Sequence, residues 1–227
     1  MRILFWDIDG TLLKTGRASL HAFQYLAKEK YGKELDFTCI PTAGMTDCFI
    51  STQLLTMVLD RPPTEKECLE FLSWYEAILP EHLALHQGLL LPQIKENLLH
   101  FSTSKDFVSL LLTGNTTNGA RAKLTHYGIS QFFDFTASAF GDSCTDRSCL
   151  AAQALSLVNS RYPSLSSEHI FVIGDTPNDI ACGKAIGAKT IAVATGRFAL
   201  PELLAHKPWW AGEQLPPPAI LEELLLK

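Results

Sequence analysis

The chain has 227 residues, 47% of them apolar and 19% charged, which is enough for one large domain or for a core carrying a smaller insertion. Its net charge is −5 with no basic tract, so a sequence-independent nucleic-acid binder is excluded, while a small anionic substrate held by a few local cations is not. No apolar run approaches the ~20 residues that span a bilayer, no secretory signal precedes Asp7, and Cys39, Cys48, Cys68, Cys144, Cys149 and Cys182 form no C-x-x-C pair; a cytoplasmic protein with reduced thiols is expected.

Residues 2–8 read as a strand buried on both faces, as in the middle of a parallel sheet. Three helical segments follow. In "ASLHAFQYLAKEKYG" Leu20, Phe23, Ala27 and Tyr31 recur at helical spacing, with Gly32 as C-cap. "DCFISTQLLTMVLD" and "TEKECLEFLSWYEAIL" are separated by Pro62 and Pro63, and Thr64 with Glu67 makes a capping box. From about residue 84 the pattern changes to strand–helix alternation. Strands are predicted at 106–113, 133–140, 169–175 and 189–195, and helices at 92–102, 118–128, 147–162, 177–187 and 219–227. Repeated βα units predict an α/β fold with a Rossmann-like, mainly parallel sheet flanked by helices. The domain organisation expected is a core of residues 1–15 and 84–227, interrupted by an all-helical insertion over 16–83. Trp209 and Trp210 are expected to pack the last strand and closing helix on the core. His82 and His86 are i,i+4, but Gly88 weakens a helix there.

In an open α/β sheet, ligands sit beyond the carboxyl ends of the strands, and three of those ends carry unusual residues. The first strand ends in Asp7 and Asp9, which alternation places on one face, where two carboxylates repel until a proton or cation neutralises one. "HIFVI" is followed by "GDTPNDI", in which Asp175 ends the strand, Thr176 caps the next helix and Pro177 occupies its first position. Asp179 reads either as the acidic half of a capping box or as a ligand. If the strands are neighbours, the four carboxylates make a hard-cation site, and Mg²⁺ fits. "LLLTGNT" offers the Thr113 hydroxyl, Gly114, Asn115 and the N–H groups before the next helix as an anion cradle. Arg147 opens a helix, where a cation opposes the macrodipole and an anion nearby would account for it. Arg121 and Lys123 fall mid-helix on what reads as a polar face.

These residues, in this order, resemble the haloacid dehalogenase superfamily. "DIDGTLL" is similar to motif I, "LLTGN" to motif II and "GDTPNDI" to motif IV, with Arg147 in the place of the motif III cation. The helical block resembles a C1 cap, and its "GMTD", with Thr46 and Asp47, is similar to an element of phosphoglycolate-phosphatase-like members. The resemblance implies Asp7 as the nucleophile that forms an aspartyl-phosphate, and Asp9 as general acid and base. It implies Mg²⁺ held by Asp7, the Asp9 backbone carbonyl, Asp175 and, directly or through water, Asp179. Thr113, Gly114, Asn115 and Arg147 would bind the phosphoryl group of a small phosphorylated metabolite. Because Asp9 is present, phosphoryl transfer is favoured over dehalogenation. A phosphomutase, a phosphoacceptor switch and a degenerate binding module are the competing readings. Oligomeric state is outside what the sequence defines.

Overall fold

The computed structural model describes residues 1–37, 40–142 and 144–227. Its centre is a five-stranded, wholly parallel sheet in the order β4-β1-β5-β6-β7. These strands are β1 (Arg2–Trp6), β4 (Phe107–Leu111), β5 (Ile170–Gly174), β6 (Lys189–Val193) and β7 (Trp210–Gly212). β1 lies between β4 and β5, so its continuous apolar run is covered on both faces. Leu4 and Trp6 join one core cluster with Leu98 and Phe101 of α4 (Ile94–Ser102), Ala120 and Leu124 of α5 (Thr117–His126) and Leu221 and Leu225 of α9 (Pro218–Leu225). Ile3 and Phe5 point the other way, onto Leu150, Ala154 and Val158 of α6 (Arg147–Arg161) and Cys182 of α7 (Pro177–Ala185). The short α8 (Leu200–Ala205) packs Leu203 on Ala192 beside Ile180. This is the Rossmann-like α/β architecture expected.

The chain leaves the sheet through β2 (Leu13–Lys14) and returns through β3 (Leu89–Leu90), which pair antiparallel. Between them lie α1 (Ala18–Tyr31), α2 (Asp47–Leu59) and α3 (Glu65–Leu85). These helices bury a cluster of their own, in which the Phe23 ring stacks on Tyr75 at 4.2 Å and on Phe71 at 6.0 Å. Gly32 ends α1 with φ 67°, and the Thr64–Glu67 capping box opens α3. α3 continues through Pro80, where the sequence predicts an end, because Leu79 and Leu83 keep its buried stripe in register.

Three sequence expectations are corrected. Residues 133–140 form no strand; one bridge, Leu112 to Ala139, is all that remains. The cause is local: the Asp134 carboxylate accepts from the Thr136 N–H and hydroxyl, and its carbonyl accepts from Ser138 Oγ, so a turn outcompetes the ladder. The fifth strand is instead the three-residue β7, too short to stand out after Trp209. Cys144 and Cys149, expected as reduced thiols, are joined in a disulfide, because the turn into α6 brings their Cα atoms to 5.7 Å. Cys48, Cys68 and Cys182 are free thiols, and Cys39 lies outside the described residues. Among the described residues no helix is long and apolar enough to cross a membrane.

Candidate active site

The carboxyl ends of β1, β4, β5 and β6 converge beneath α1 and α2, around a cavity of about 380 Å³. Asp7 follows β1, and its N–H donates to the Ile173 carbonyl, which ties the position to the ladder. Asp175 follows β5, and its Oδ1 accepts from Thr11 Oγ1 at 3.1 Å. Asp179, in the first turn of α7, completes a group of three buried carboxylates, one oxygen from each lying within 4.8 Å of the others. Burial and the Asp179 charge push the Asp7 carboxyl up to about 7, against the opposing pull of Arg147. Burial and the neighbouring carboxylates also raise Asp175 well above the usual carboxylate range. The chain packs closely around Asp175: a Cβ on Gly196, just past β6, would lie 1.6 Å from its Oδ2. Thr195 Oγ1 beside it donates to the Gly10 carbonyl at 2.6 Å. This donor set is all oxygen, anionic and enclosed, which fits a hard divalent cation of the Mg²⁺ class.

Asp179 meets the first of its two sequence readings and pairs with a cation as well. It closes the Thr176 capping box, with Oδ2 accepting from the Thr176 N–H at 3.0 Å and hydroxyl at 2.6 Å. Its Oδ1 accepts from Arg147 Nη1 at 2.5 Å. With both oxygens engaged, it orients Arg147 and adds charge beside any ion held by Asp7 and Asp175. Arg147 reaches this position although Asp146 caps its helix; the capping carboxylate takes the Cys149 N–H and leaves the guanidinium free to turn inward. The arginine also donates from Nε to the Gly44 carbonyl at 2.9 Å and stands 3.5 Å from Asp7 Oδ1.

Asp9 does not join the other three. Strand alternation ends with β1 at Trp6, and the chain then turns through Gly10 at φ +90°, so the i,i+2 rule no longer holds between Asp7 and Asp9. The Asp9 side chain, 43% exposed, faces α5. There it accepts from Lys123 Nζ at 2.6 Å and from Asn115 Nδ2 at 2.8 Å. The ammonium also donates to Asn115 Oδ1 at 2.5 Å, and Asn115 Nδ2 is 2.9 Å from Thr113 Oγ1. Lys123 is therefore buried within the site and not on a polar helix face. The signal was present in the spacing. Ala120, Lys123, Leu124 and Tyr127 are i, i+3, i+4 and i+7, so the lysine completes the stripe that the apolar residues define. Thr113 is fully buried at the end of β4, its N–H bonded to the Ala139 carbonyl.

Thr46 and Asp47 bring the helical segment onto this floor. Thr46 caps α2 through Phe49, an ordinary structural task. Asp47 does more: its N–H donates to the Gly114 carbonyl at 2.7 Å, and its Oδ2 accepts from the Thr116 N–H at 3.0 Å. Burial pushes the Asp47 carboxyl up to about 6, against the opposing pull of Lys123. Since the folded protein holds this proton more tightly than the unfolded chain, ionising Asp47 costs stability as pH rises from about 4 to 6. An asparagine keeps the acceptor without the charge. Asp47→Asn should therefore gain about 1–3 kcal/mol relative to wild type between pH 4 and pH 7. Denaturant melts at both pH values check this, and an equal difference at both refutes it.

The haloacid dehalogenase-like hydrolase profile matches residues 3–193. No curated protein matches the chain. Among solved structures, a family IA variant 3 hydrolase of the same superfamily from Entamoeba histolytica is similar at TM-score 0.73 and 17% identity, covering 94% of this chain and 93% of its own. A predicted phosphoglycolate phosphatase from Haemophilus somnus is similar at TM-score 0.70 and 17% identity, with 99% and 98% covered. A haloacid dehalogenase-like hydrolase from Streptococcus pneumoniae is similar at TM-score 0.64 and 21% identity, with 99% and 98% covered. At these identities the likeness is one of fold.

Proposed function

Because the chain belongs to the haloacid dehalogenase-like hydrolase family, an enzyme family, we propose that it is a Mg²⁺-dependent phosphatase acting on a small phosphomonoester through an aspartyl-phosphate on Asp7. The observation that carries this reading is the buried group of Asp7, Asp175 and Asp179 with the Arg147 guanidinium set against it. Three enclosed carboxylates repel, and a divalent cation is the charge that offsets them. Asp7, Asp175 and the Asp9 backbone carbonyl would hold Mg²⁺, with Asp179 behind them. The ion would screen the charge of the substrate phosphoryl group and hold it against the nucleophile.

The protein's own groups supply the rest. Asp7 attacks phosphorus and the ester oxygen departs with a proton from Asp9, which then takes a proton from the water that hydrolyses the aspartyl-phosphate. Lys123 and Asn115 fix the place of the Asp9 carboxyl group. Thr113, Gly114, Asn115 and Arg147 bind the phosphoryl oxygens as charge spreads over them. We assign residues 16–83 as a cap that covers the site and excludes water, with Asp47 as its latch on the Gly114–Thr116 segment. Thr46 serves the latch by capping the helix that carries it.

Phosphate release from a panel of small phosphomonoesters, with Mg²⁺ and with chelator, tests the reading. The expected outcome is release with the metal and a loss of at least about 10²-fold without it. Equal release in both conditions refutes metal dependence. Phosphate that moves to another hydroxyl of the substrate, with little released, identifies a mutase instead.

A further inference from the structure

The cavity above the carboxylates has two unlike halves. Its floor is charged, as described above. Its upper wall is apolar: Leu20 and Phe23 of α1, Ala43 and Met45 of the following loop, and Ile50 of α2, with Leu13 of the β2–β3 pair beside them. The polar groups beside this wall are Thr15, Ser19, Thr42 and Asp47, and two of them are spoken for. The Asp47 carboxylate is turned to the Thr116 N–H, and Ser19 Oγ already accepts from the Tyr75 hydroxyl at 3.1 Å. Phe23 is held in place by its stack on Tyr75, so the wall is preformed. The other cations that line the cavity, Lys14, Arg17 and Arg197, are exposed.

Resting on the phosphatase reading, we propose that the leaving group accepted by this site is a compact apolar body, such as an alkyl or aryl chain, and not a polyol. A volume of about 380 Å³ is at the lower end of small-molecule pockets, with room for a phosphoryl group and a modest organic body. An apolar body there gives up its water to Leu20, Met45 and Ile50. A sugar would trade water for carbon, and each hydroxyl left without a partner would weaken binding about tenfold. Leu20 and Met45 are then the specificity-determining side chains, because both are only partly buried in the fold and so have surface left to bury on a ligand.

The test is calorimetric binding of ethyl-, butyl- and hexylphosphonate, with a polyhydroxylated six-carbon phosphonate as comparison, to wild-type protein in Mg²⁺. Because phosphonates are not hydrolysed, the result stands apart from turnover. Affinity is expected to rise about fourfold per methylene, and the polyol is expected to bind at least about tenfold more weakly than the hexyl compound. In Met45→Gln and Leu20→Asn the increment is expected to fall below about twofold per methylene. Affinities that stay within twofold across the alkyl series, a polyol that binds as tightly as hexylphosphonate, or no binding of any phosphonate to folded protein would overturn the proposal. A steep chain-length dependence with no hydrolysis of the matching esters would retain the apolar site and refute the phosphatase.

Discussion

Asp7→Asn should lose phosphate release by a factor of about 10³ or more while remaining folded. Asparagine preserves the shape of the side chain and the N–H bond to the Ile173 carbonyl, but its amide cannot form the phosphoryl-enzyme. The fold does not need this charge. Burial and Asp179 already push the Asp7 carboxyl up to about 7, so an ionised Asp7 is a cost to the folded state and a neutral amide removes it. The melting temperature in metal-free buffer should therefore equal or exceed that of wild type. Inactivity with an intact melt separates loss of the nucleophile from loss of structure. A folded variant with a tenth or more of wild-type activity would sink the aspartyl-phosphate mechanism.

Most of what makes this prediction possible is readable from local sequence, for a physical reason. Asp7 and Asp175 each interrupt an apolar strand, and a charge at the end of a buried strand has few structural excuses. Thr176, Pro177 and Asp179 follow helix-start chemistry, which involves only neighbours in the chain. The residues misread depend on partners far away. Asp9 is the twin of Asp7 only where alternation continues past the strand, and its partner lies 114 residues later on α5. Lys123 reads as solvated from its charge, whereas its spacing places it on the buried stripe of α5. Asp47 stands out in the sequence only through the GMTD resemblance, and its bond to the far side of the site appears only when Thr116 is brought opposite it. The 133–140 segment has the alternation of a strand, yet Asp134 supplies its backbone with a nearer set of partners.

Lys123→Met should reduce kcat by about 10²-fold with little change in KM, the size expected for disabling a positioned general acid and base. Lys123 Nζ is the cationic partner of Asp9 among the ion pairs of the described residues, and it fixes Asn115 at the same time. Methionine fills much of the same volume without either bond, so packing survives and the Asn115 carbonyl oxygen loses its donor. The fold should pay modestly, about 1–2 kcal/mol, because Asp9 is 43% exposed and water can take over its solvation. Asp9 would then be free to swing away from the ester oxygen. This makes Lys123 a positioning residue, and that role has a signature a structural role lacks. If Lys123 acts only through Asp9, adding Lys123→Met to Asp9→Asn should cost almost nothing further, whereas independent roles would multiply. A folded Lys123→Met with kcat within twofold of wild type, or multiplicative losses in the double variant, would remove Lys123 from the catalytic machinery and leave its burial as a feature of the α5 packing alone.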